Sequence, residues 1–443
     1  MFLDRPKSGS KALLVHIQKH NSELATTDEL KELVRSAGLV PVGCLSSNRR
    51  YPHPGTFIGG GKVDEITEFL ADQACDLVIF GDDISPTQER NLEQALDKRV
   101  LGRTGLILEI FARRARTHEG KLQVELAQLD HASSRLVRGW SHLDRQRGGS
   151  GRGAGASSGL GGAGETQLEA DQRMISDRIK RINGRLSKVQ SQRAHNRRGR
   201  TRSDVKTISL AGYTNAGKST LFNQLCTADV LVENQLFATL DPTLRKLELP
   251  VIGNAVLADT VGFIRQLPHS LVDAFRATLE EVSQADLILH VVDAASPLRG
   301  EQISEVNLVL EEIGAEATPQ LMVYNKVDLL DGEPEIERNA QGVVTKVWVS
   351  SIDGAGKELL LEAIAERIGE AVIETNVTVR PQDGRIRAQF FELGAVVDEI
   401  PCEDGSVEMH LRIQESSLRK IIQDKLAVQS VPYPCRTTRH SDL

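Results

Sequence analysis

Along the first hundred residues, short apolar runs alternate with amphipathic stretches. Lys11–Ile17, Leu39–Leu45, Leu77–Phe80 and Leu106–Phe111 are nearly continuous in apolar residues, whereas Asp28–Arg35 has helical spacing. Strand alternating with helix predicts an α/β unit with a mostly parallel sheet, ending near residue 117. Within it, Ser85-Pro-Thr-Gln-Glu89 reads as a helix start, with proline in the first turn and Glu89 placed to complete a capping box. From Leu122 the period lengthens. Leu122, Leu126, Leu129, Leu136 and Leu143 lie close to helical spacing, and Ile175, Ile179, Ile182, Leu186 and Val189 step by four and three, a heptad seam. Two such stripes predict an antiparallel helical hairpin over 118–203. The hairpin is joined by Gly148–Gly164, where nine of seventeen residues are glycine. A further α/β unit is expected over 204–372. Over 373–443 a small α+β module is expected, with a turn at Arg380–Gly384 and a strand at Val407–Ile413.

Charge changes this picture in one place. The chain of 443 residues carries a formal net charge of −7, yet Arg135–Arg202 holds 16 Lys and Arg against 5 Asp and Glu. The hairpin is therefore basic while the remainder is acidic. Most of these cations are arginine, which binds phosphate through two parallel hydrogen bonds and stacks on bases. Arg138, Arg145, Arg147 and Arg152 around the glycine-rich tip are the candidate RNA contacts; the competing reading is a solvated helical face. Trp140 is equally suited to packing or stacking. No run approaches the length of a membrane-spanning helix, and MFLDRPKSGS lacks the apolar stretch of a signal peptide, so a cytoplasmic protein is expected. Cys44, Cys75, Cys226, Cys402 and Cys435 show no CxxC spacing and are read as reduced thiols. His16, His20, His53 and His118 show no metal-ligand spacing. Gly59-Gly-Gly-Lys62 lacks the setting of a phosphate loop and is read as a flexible turn.

Chemistry is concentrated further on. Strand-like Lys206–Ala211 runs into Gly212-Tyr213-Thr214-Asn215-Ala216-Gly217-Lys218-Ser219 and then a helical stretch from Thr220, the full GxxxxGK[ST] pattern in its strand, loop, helix setting. Such a loop wraps phosphates with backbone N–H groups, with Lys218 reaching the β- and γ-phosphates and Ser219 binding magnesium. Downstream, strand-like Gln320–Tyr324 enters Asn325-Lys326-Val327-Asp328, the NKxD pattern. The Asp328 carboxylate can accept from guanine N1–H and the exocyclic amine together, a pair adenine lacks, so GTP rather than ATP is expected. Between the two, Asp259-Thr260-Val261-Gly262 ends a strand as DxxG. Asp259 would hold magnesium through water and the Gly262 N–H would meet the γ-phosphate. Upstream, Leu236-Phe237-Ala238-Thr239-Leu240-Asp241-Pro242 offers Thr239 as a second magnesium oxygen, with Thr243 as the alternative. Ser350, Ser351 and Ile352 follow one more strand and would supply backbone contacts to the base.

At this point the chain resembles the HflX family of bacterial GTPases, in the translation-factor-related class, over nearly its whole length. The residues that carry the resemblance are Gly120-Lys-Leu-Gln-Val-Glu-Leu-Ala-Gln128, Arg135-Leu-Val-Arg-Gly-Trp140, Gly164-Glu-Thr-Gln-Leu-Glu169, the phosphate loop and Phe237-Ala-Thr-Leu-Asp241. The resemblance implies an N-terminal α/β domain, a helical hairpin, a P-loop GTPase domain and a small C-terminal domain. It also implies binding of the large (50S) ribosomal subunit and splitting of stalled or idle ribosomes under stress, and it favours Thr239 over Thr243. The tip is longer and richer in glycine than the family pattern.

Where many GTPases place a glutamine after DxxG, this chain has Phe263, so intrinsic hydrolysis is expected to be slow. Lys218, Thr239 and Gly262 are the expected catalytic groups. Asn215 matches a position that coordinates potassium in some related GTPases; the alternative is an asparagine that only caps the loop. A monomer is expected. The competing functional reading is a GTP-dependent switch acting on a protein partner such as a membrane protease complex, with RNA binding incidental.

Overall fold

The computed structural model describes residues 6–17, 23–47, 51–147, 167–202, 205–226, 236–237, 239–240, 243–250, 253–265, 276–330, 332–369, 372–402, 404–414, 418 and 421. The glycine-rich tip, Arg152, Ala238 and Asp241 lie outside them.

The N-terminal unit contains β1 (Lys11–Ile17), α1 (Glu23–Ser36), β2 (Val40–Ser47), α2 (Gly60–Asp72), β3 (Leu77–Phe80), α3 (Pro86–Leu96), β4 (Arg99–Leu101) and α4 (Arg103–Arg114). Its four strands form a parallel sheet in the order β2-β1-β3-β4. The near-continuous apolar runs follow from helices covering both faces. Ala12, Leu14, Leu77 and Ile79 join one buried cluster, while Leu13, Val15, Val78 and Phe80 join another. One apolar run departs from the expected alternation: Leu106–Phe111 is helical, within α4, and the neighbouring strand is instead Arg99–Leu101. Leu106, Ile107, Leu108, Ile110 and Phe111 are all buried, as is Glu109 between them, so this part of α4 is enclosed and shows no solvent-facing side by which its period could be read. The α3 cap also differs in one residue. Ser85 Oγ accepts from the Gln88 N–H (3.2 Å) and Gln88 Oε1 accepts from the Ser85 N–H (2.9 Å), so Gln88 completes the box. Glu89 is one position too far along and instead pairs, buried, with Arg135. Gly59–Lys62 begins α2 and is no free turn.

The hairpin consists of α5 (His118–Arg147) and α6 (Gln167–Arg202). Leu122, Ile182 and Leu186 are buried between them, flanked by Leu126 and Leu129. Next come β5 (Thr207–Gly212), α7 (Lys218–Cys226), β6 (Thr243–Leu249), β7 (Gly253–Asp259), α8 (Arg276–Ser283), β8 (Leu287–Asp293), α9 (Arg299–Glu312), β9 (Gln320–Asn325), β10 (Ile336–Arg338), β11 (Val344–Trp348) and α10 (Lys357–Ile368). These strands form one sheet in the order β10-β11-β9-β8-β5-β7-β6, parallel at its centre and antiparallel at both edges. Finally β12 (Val372–Val379), α11 (Gly384–Glu392), β13 (Val396–Pro401) and β14 (Val407–Gln414) make a three-stranded antiparallel sheet in the order β12-β14-β13. The turn expected at 380–384 is a single 3₁₀ turn, Pro381–Asp383, leading into α11.

The largest buried cluster runs across units. It joins Leu33, Phe111, Val124 and Ala127 of the N-terminal half to Tyr213, Phe237, Val261 and Phe263 beside the phosphate loop. None of the described helices is long and apolar enough to cross a membrane.

Candidate functional site

Strand β5 lies between β7 and β8, so the chain leaves its carboxyl end where the strand order reverses, the usual place for a ligand in an open α/β sheet. The loop Gly212–Ser219 starts there and enters α7. Its tightest point is Gly217, at φ +92°, where a Cβ would stand 2.1 Å from Asn325 Nδ2. Asn215 also has positive φ (+63°), a region asparagine tolerates, and its side chain is exposed. Lys218 is 7% exposed and its Nζ donates to the carbonyls of Gly212 (3.0 Å) and Tyr213 (2.8 Å). Burial lowers its pKa to about 8, opposed by the charge of Asp259.

Three oxygens from distant parts of the sequence converge beside this loop. Ser219 Oγ lies 2.8 Å from Thr239 Oγ1, and both hydroxyls reach Asp259 Oδ2, at 2.8 and 3.0 Å. The second carboxylate oxygen, Asp259 Oδ1, is buried with no hydrogen-bond partner among the described residues, and burial raises the Asp259 pKa. Hydroxyl and carboxylate oxygens with an unsatisfied buried lone pair suit a hard divalent cation such as magnesium. Thr243 opens β6 as the register partner of Asp259. Thr260 is buried and donates to the Leu210 carbonyl (2.6 Å), holding the DxxG turn on β5. Val261, Leu240 and Phe237 are buried too. Gly262 faces the loop: a Cβ there would lie 3.1 Å from Lys218 Nζ.

On the far side of the loop, Asn325 is fully buried and ties two segments together. Its Nδ2 donates to the Ala216 carbonyl (2.9 Å) and its Oδ1 accepts from the Ser351 N–H (2.9 Å). Lys326, at φ +70°, pairs with Asp293 (2.6 Å), and Val327 is buried. Asp328 is exposed on the 3₁₀ turn Val327–Leu329, where Oδ1 accepts from Ser350 Oγ (2.7 Å). Ile352 is exposed beside it. Thr220 is half-buried on α7.

The site also has a wall that no motif announces. Glu29 of α1 accepts from the Tyr213 hydroxyl (2.5 Å) and pairs with Arg103 (2.5 Å), and Arg103 also donates to the Arg265 carbonyl (2.9 Å). The Leu236 N–H donates to Ser36 Oγ (3.0 Å), and the Phe237 ring meets Phe111 edge to face, centroids 4.7 Å apart. Burial and Glu29 together raise the Tyr213 pKa. Glu29, Ser36, Arg103 and Phe111 lie 100 residues or more from the loops they touch, so no local spacing could single them out. A cavity of about 430 Å³ remains between these walls, lined by Glu29, Glu32, Thr214, Asn215, Arg265 and Glu301 among others.

Arg138, Arg145 and Arg147 lie on α5, outside the residues whose side chains are described. His16 is buried beside Cys44 and Thr27, and no cluster of metal-ligating side chains occurs among the described residues.

Comparison with known proteins divides the chain into four consecutive segments. Residues 25–112 match the GTP-binding GTPase N-terminal family, 114–200 the GTP-binding GTPase middle region, 207–326 the 50S ribosome-binding GTPase family and 335–430 the HflX C-terminal domain. GTPase HflX of Escherichia coli (strain K12) is 48% identical over 96% of this chain and 98% of its own. The GTPase HflX proteins of Magnetococcus marinus and Caldanaerobacter subterraneus are 46% and 45% identical, covering 85% and 89% of both chains. With the four segments in order and likeness extending almost end to end, this chain belongs to the HflX family and is a GTP-binding GTP hydrolase.

Proposed function

We propose that the protein binds the large (50S) ribosomal subunit and uses its GTP cycle to split or rescue stalled and idle ribosomes under stress. The observation that carries this reading is the match of residues 207–326 to the 50S ribosome-binding GTPase family. The basic stretch Arg135–Arg202 supports it, since a switch acting only on proteins has no need of such a segment. In this reading Arg138, Arg145, Arg147 and Arg152 meet ribosomal RNA, and the protein acts as a cytoplasmic monomer partly associated with ribosomes.

At the site, Gly212–Thr220 would wrap the phosphates, with Lys218 on the β- and γ-phosphates and the Gly262 N–H on the γ-phosphate. Ser219 and Thr239 would hold magnesium directly and Asp259 would hold it through water. The ion supplies charge neutralisation at the phosphates. Asp328 would select guanine, with Ser350, Ser351 and Ile352 supporting the base through backbone groups. Phe237–Asp241 would order around the γ-phosphate and relax after its loss. Because Leu236 and Phe237 pack on Ser36 and Phe111, that change would reach the N-terminal unit.

Steady-state GTP hydrolysis with and without purified 50S subunits, in potassium and in sodium, tests the reading. Stimulation of about 10-fold or more by 50S is expected, since an ordered partner supplies positioning that Phe263 does not. A requirement for potassium would assign Asn215 to the ion. The triple variant R145A/R147A/R152A should lose co-sedimentation with 50S while its affinity for GDP stays within about two-fold, because phosphate contacts act through charge. No stimulation and no co-sedimentation with a non-hydrolysable GTP analogue would overturn the proposal and leave the protein-directed switch ahead.

A further inference from the structure

Hydrolysis by this chain has a missing part. The residue after DxxG is Phe263, which has no hydrogen-bonding side chain and is 1% exposed, packed in the apolar cluster with Phe237 and Phe111. Its backbone is fixed as well: the Phe263 carbonyl accepts from the Thr214 N–H (2.7 Å) and its own N–H donates to Gly212 (3.1 Å). With its backbone polar groups engaged and its side chain apolar, Phe263 offers nothing to a water, which must be oriented by another group.

The phosphate loop contains a candidate directly opposite. Thr214, its third residue, is 6% exposed, and its Oγ1 is buried with no hydrogen-bond partner among the described residues. A Cβ built on Gly262 would lie 2.8 Å from Thr214 Cγ2 and 3.1 Å from Lys218 Nζ, so the Thr214 methyl, Lys218 and Gly262 face one small space, into which a turn about the Thr214 Cα–Cβ bond brings the hydroxyl. Thr214 also lines the cavity of about 430 Å³ that separates the loop from α1, which gives water a way in. A buried hydroxyl without a partner is destabilising, and valine would fill the same volume without that cost. The hydroxyl is therefore suited to a partner that arrives with the substrate.

We propose that the Thr214 hydroxyl orients the attacking water in GTP hydrolysis, in place of the polar side chain that Phe263 lacks. This rests on the assignment of the phosphate loop and DxxG turn made above. The water oxygen forms a bond to the γ-phosphorus while the bond from that phosphorus to the β–γ bridging oxygen breaks. The electron pair stays on GDP, the water's proton goes to the departing phosphate, and Thr214 is unchanged. The hydroxyl directs the water and is not a base.

The full-length chain carrying Thr214→Val, Thr214→Ala or Thr214→Ser tests this. T214V should hydrolyse GTP about 10-fold or more slowly in single turnover, the loss expected for one hydrogen bond made in the transition state, with affinities for GDP and a non-hydrolysable GTP analogue within about two-fold of the parent. Tightening of GDP binding by aluminium fluoride, which mimics the transferring phosphoryl group, should be lost in T214V. T214S should recover most of both effects. The pair T214S and T214A differs by the hydroxyl alone, and carries the comparison if T214V does not fold. Hydrolysis by T214V within about two-fold of the parent would overturn the proposal. So would equal loss of analogue affinity, which would make Thr214 a ground-state phosphate ligand, or a T214S variant as slow as T214A. A parent protein that neither binds GDP nor hydrolyses GTP would instead remove the site assignment.

Discussion

Lys218→Met is expected to make the protein more stable when measured without nucleotide and, at the same time, nearly unable to bind GTP. Lys218 is buried, its ammonium donates to the carbonyls of Gly212 and Tyr213, and its pKa falls from 10.5 to about 8. A depression of that size is worth roughly 3 kcal/mol against the charged folded form. The sign follows from proton counting. Between pH 8 and 10.5 the unfolded chain holds a proton that the folded chain has given up, so folding stability rises with pH across that window and the penalty is fully present below it. Methionine fills the volume of the stem without the charge. Urea unfolding at pH 7 should show K218M more stable by roughly 1–3 kcal/mol, after allowance for two carbonyls left without a donor and for Asp259 left without the lysine's charge, and the difference should shrink as pH rises past 8. GTP affinity should fall by a factor of roughly 100 or more, since charge-assisted bonds to phosphate are lost. An unchanged or lower stability at pH 7 would show that the loop accommodates the ammonium at no cost. Phosphates beside the amine restore its proton, so in the parent protein nucleotide affinity should decline as pH rises above 8.

That strain belongs to a loop the sequence announces openly. The phosphate loop, DxxG and NKxD are legible because each is contiguous, and strand, turn and helix signals flank it. Asn325 illustrates how far this goes: its place in NKxD is readable, while its bridge between the Ala216 carbonyl and the Ser351 N–H is a tertiary fact. The heptad spacing of Ile182 and Leu186 likewise foretold which side of α6 meets α5. Other features were beyond such reading. Leu106–Phe111, apolar but for the buried Glu109, is enclosed by the sheet, α5 and the GTPase unit, and an enclosed helix shows the same run of apolar residues as an enclosed strand. Glu89 was one residue from the true partner of Ser85, a distinction that only the turn geometry makes. Nothing local links Glu29 to Tyr213 across 184 residues.

These long-range contacts give the site its character. Tyr213 belongs to the phosphate loop, Arg265 follows DxxG, and Leu236 and Phe237 belong to the segment carrying Thr239, yet all four are held by α1, its end, or α4 through Glu29, Ser36, Arg103 and Phe111. The phosphate loop and the segments around Thr239 and Arg265 therefore share a buried interface with the N-terminal unit, so a rearrangement of these loops would repack it.

In the proposed reading the opposite end of the site selects the base, and there Asp328→Asn should exchange guanine for xanthine. Asp328 stands exposed on its 3₁₀ turn, oriented by the Ser350 hydroxyl, with the Asn325 bridge holding the adjoining loop. A carboxylate there can accept from both N1–H and the exocyclic amine of guanine. The asparagine amide places an N–H against that amine, so one hydrogen bond is replaced by donor facing donor and the other loses its charge. Losses of this kind reach several kcal/mol, and GTP affinity should fall by roughly 100- to 10,000-fold. Xanthine carries a carbonyl where guanine carries the amine, so the same amide can donate to it while its oxygen accepts from N1–H. D328N should therefore bind and hydrolyse XTP, with Lys218, Ser219 and Asp259 untouched by the change. Fluorescence titration with both nucleotides, followed by phosphate release, checks this. Weakened GTP binding without any gain for XTP would mean that Asp328 supports the loop through Ser350 and does not read the base.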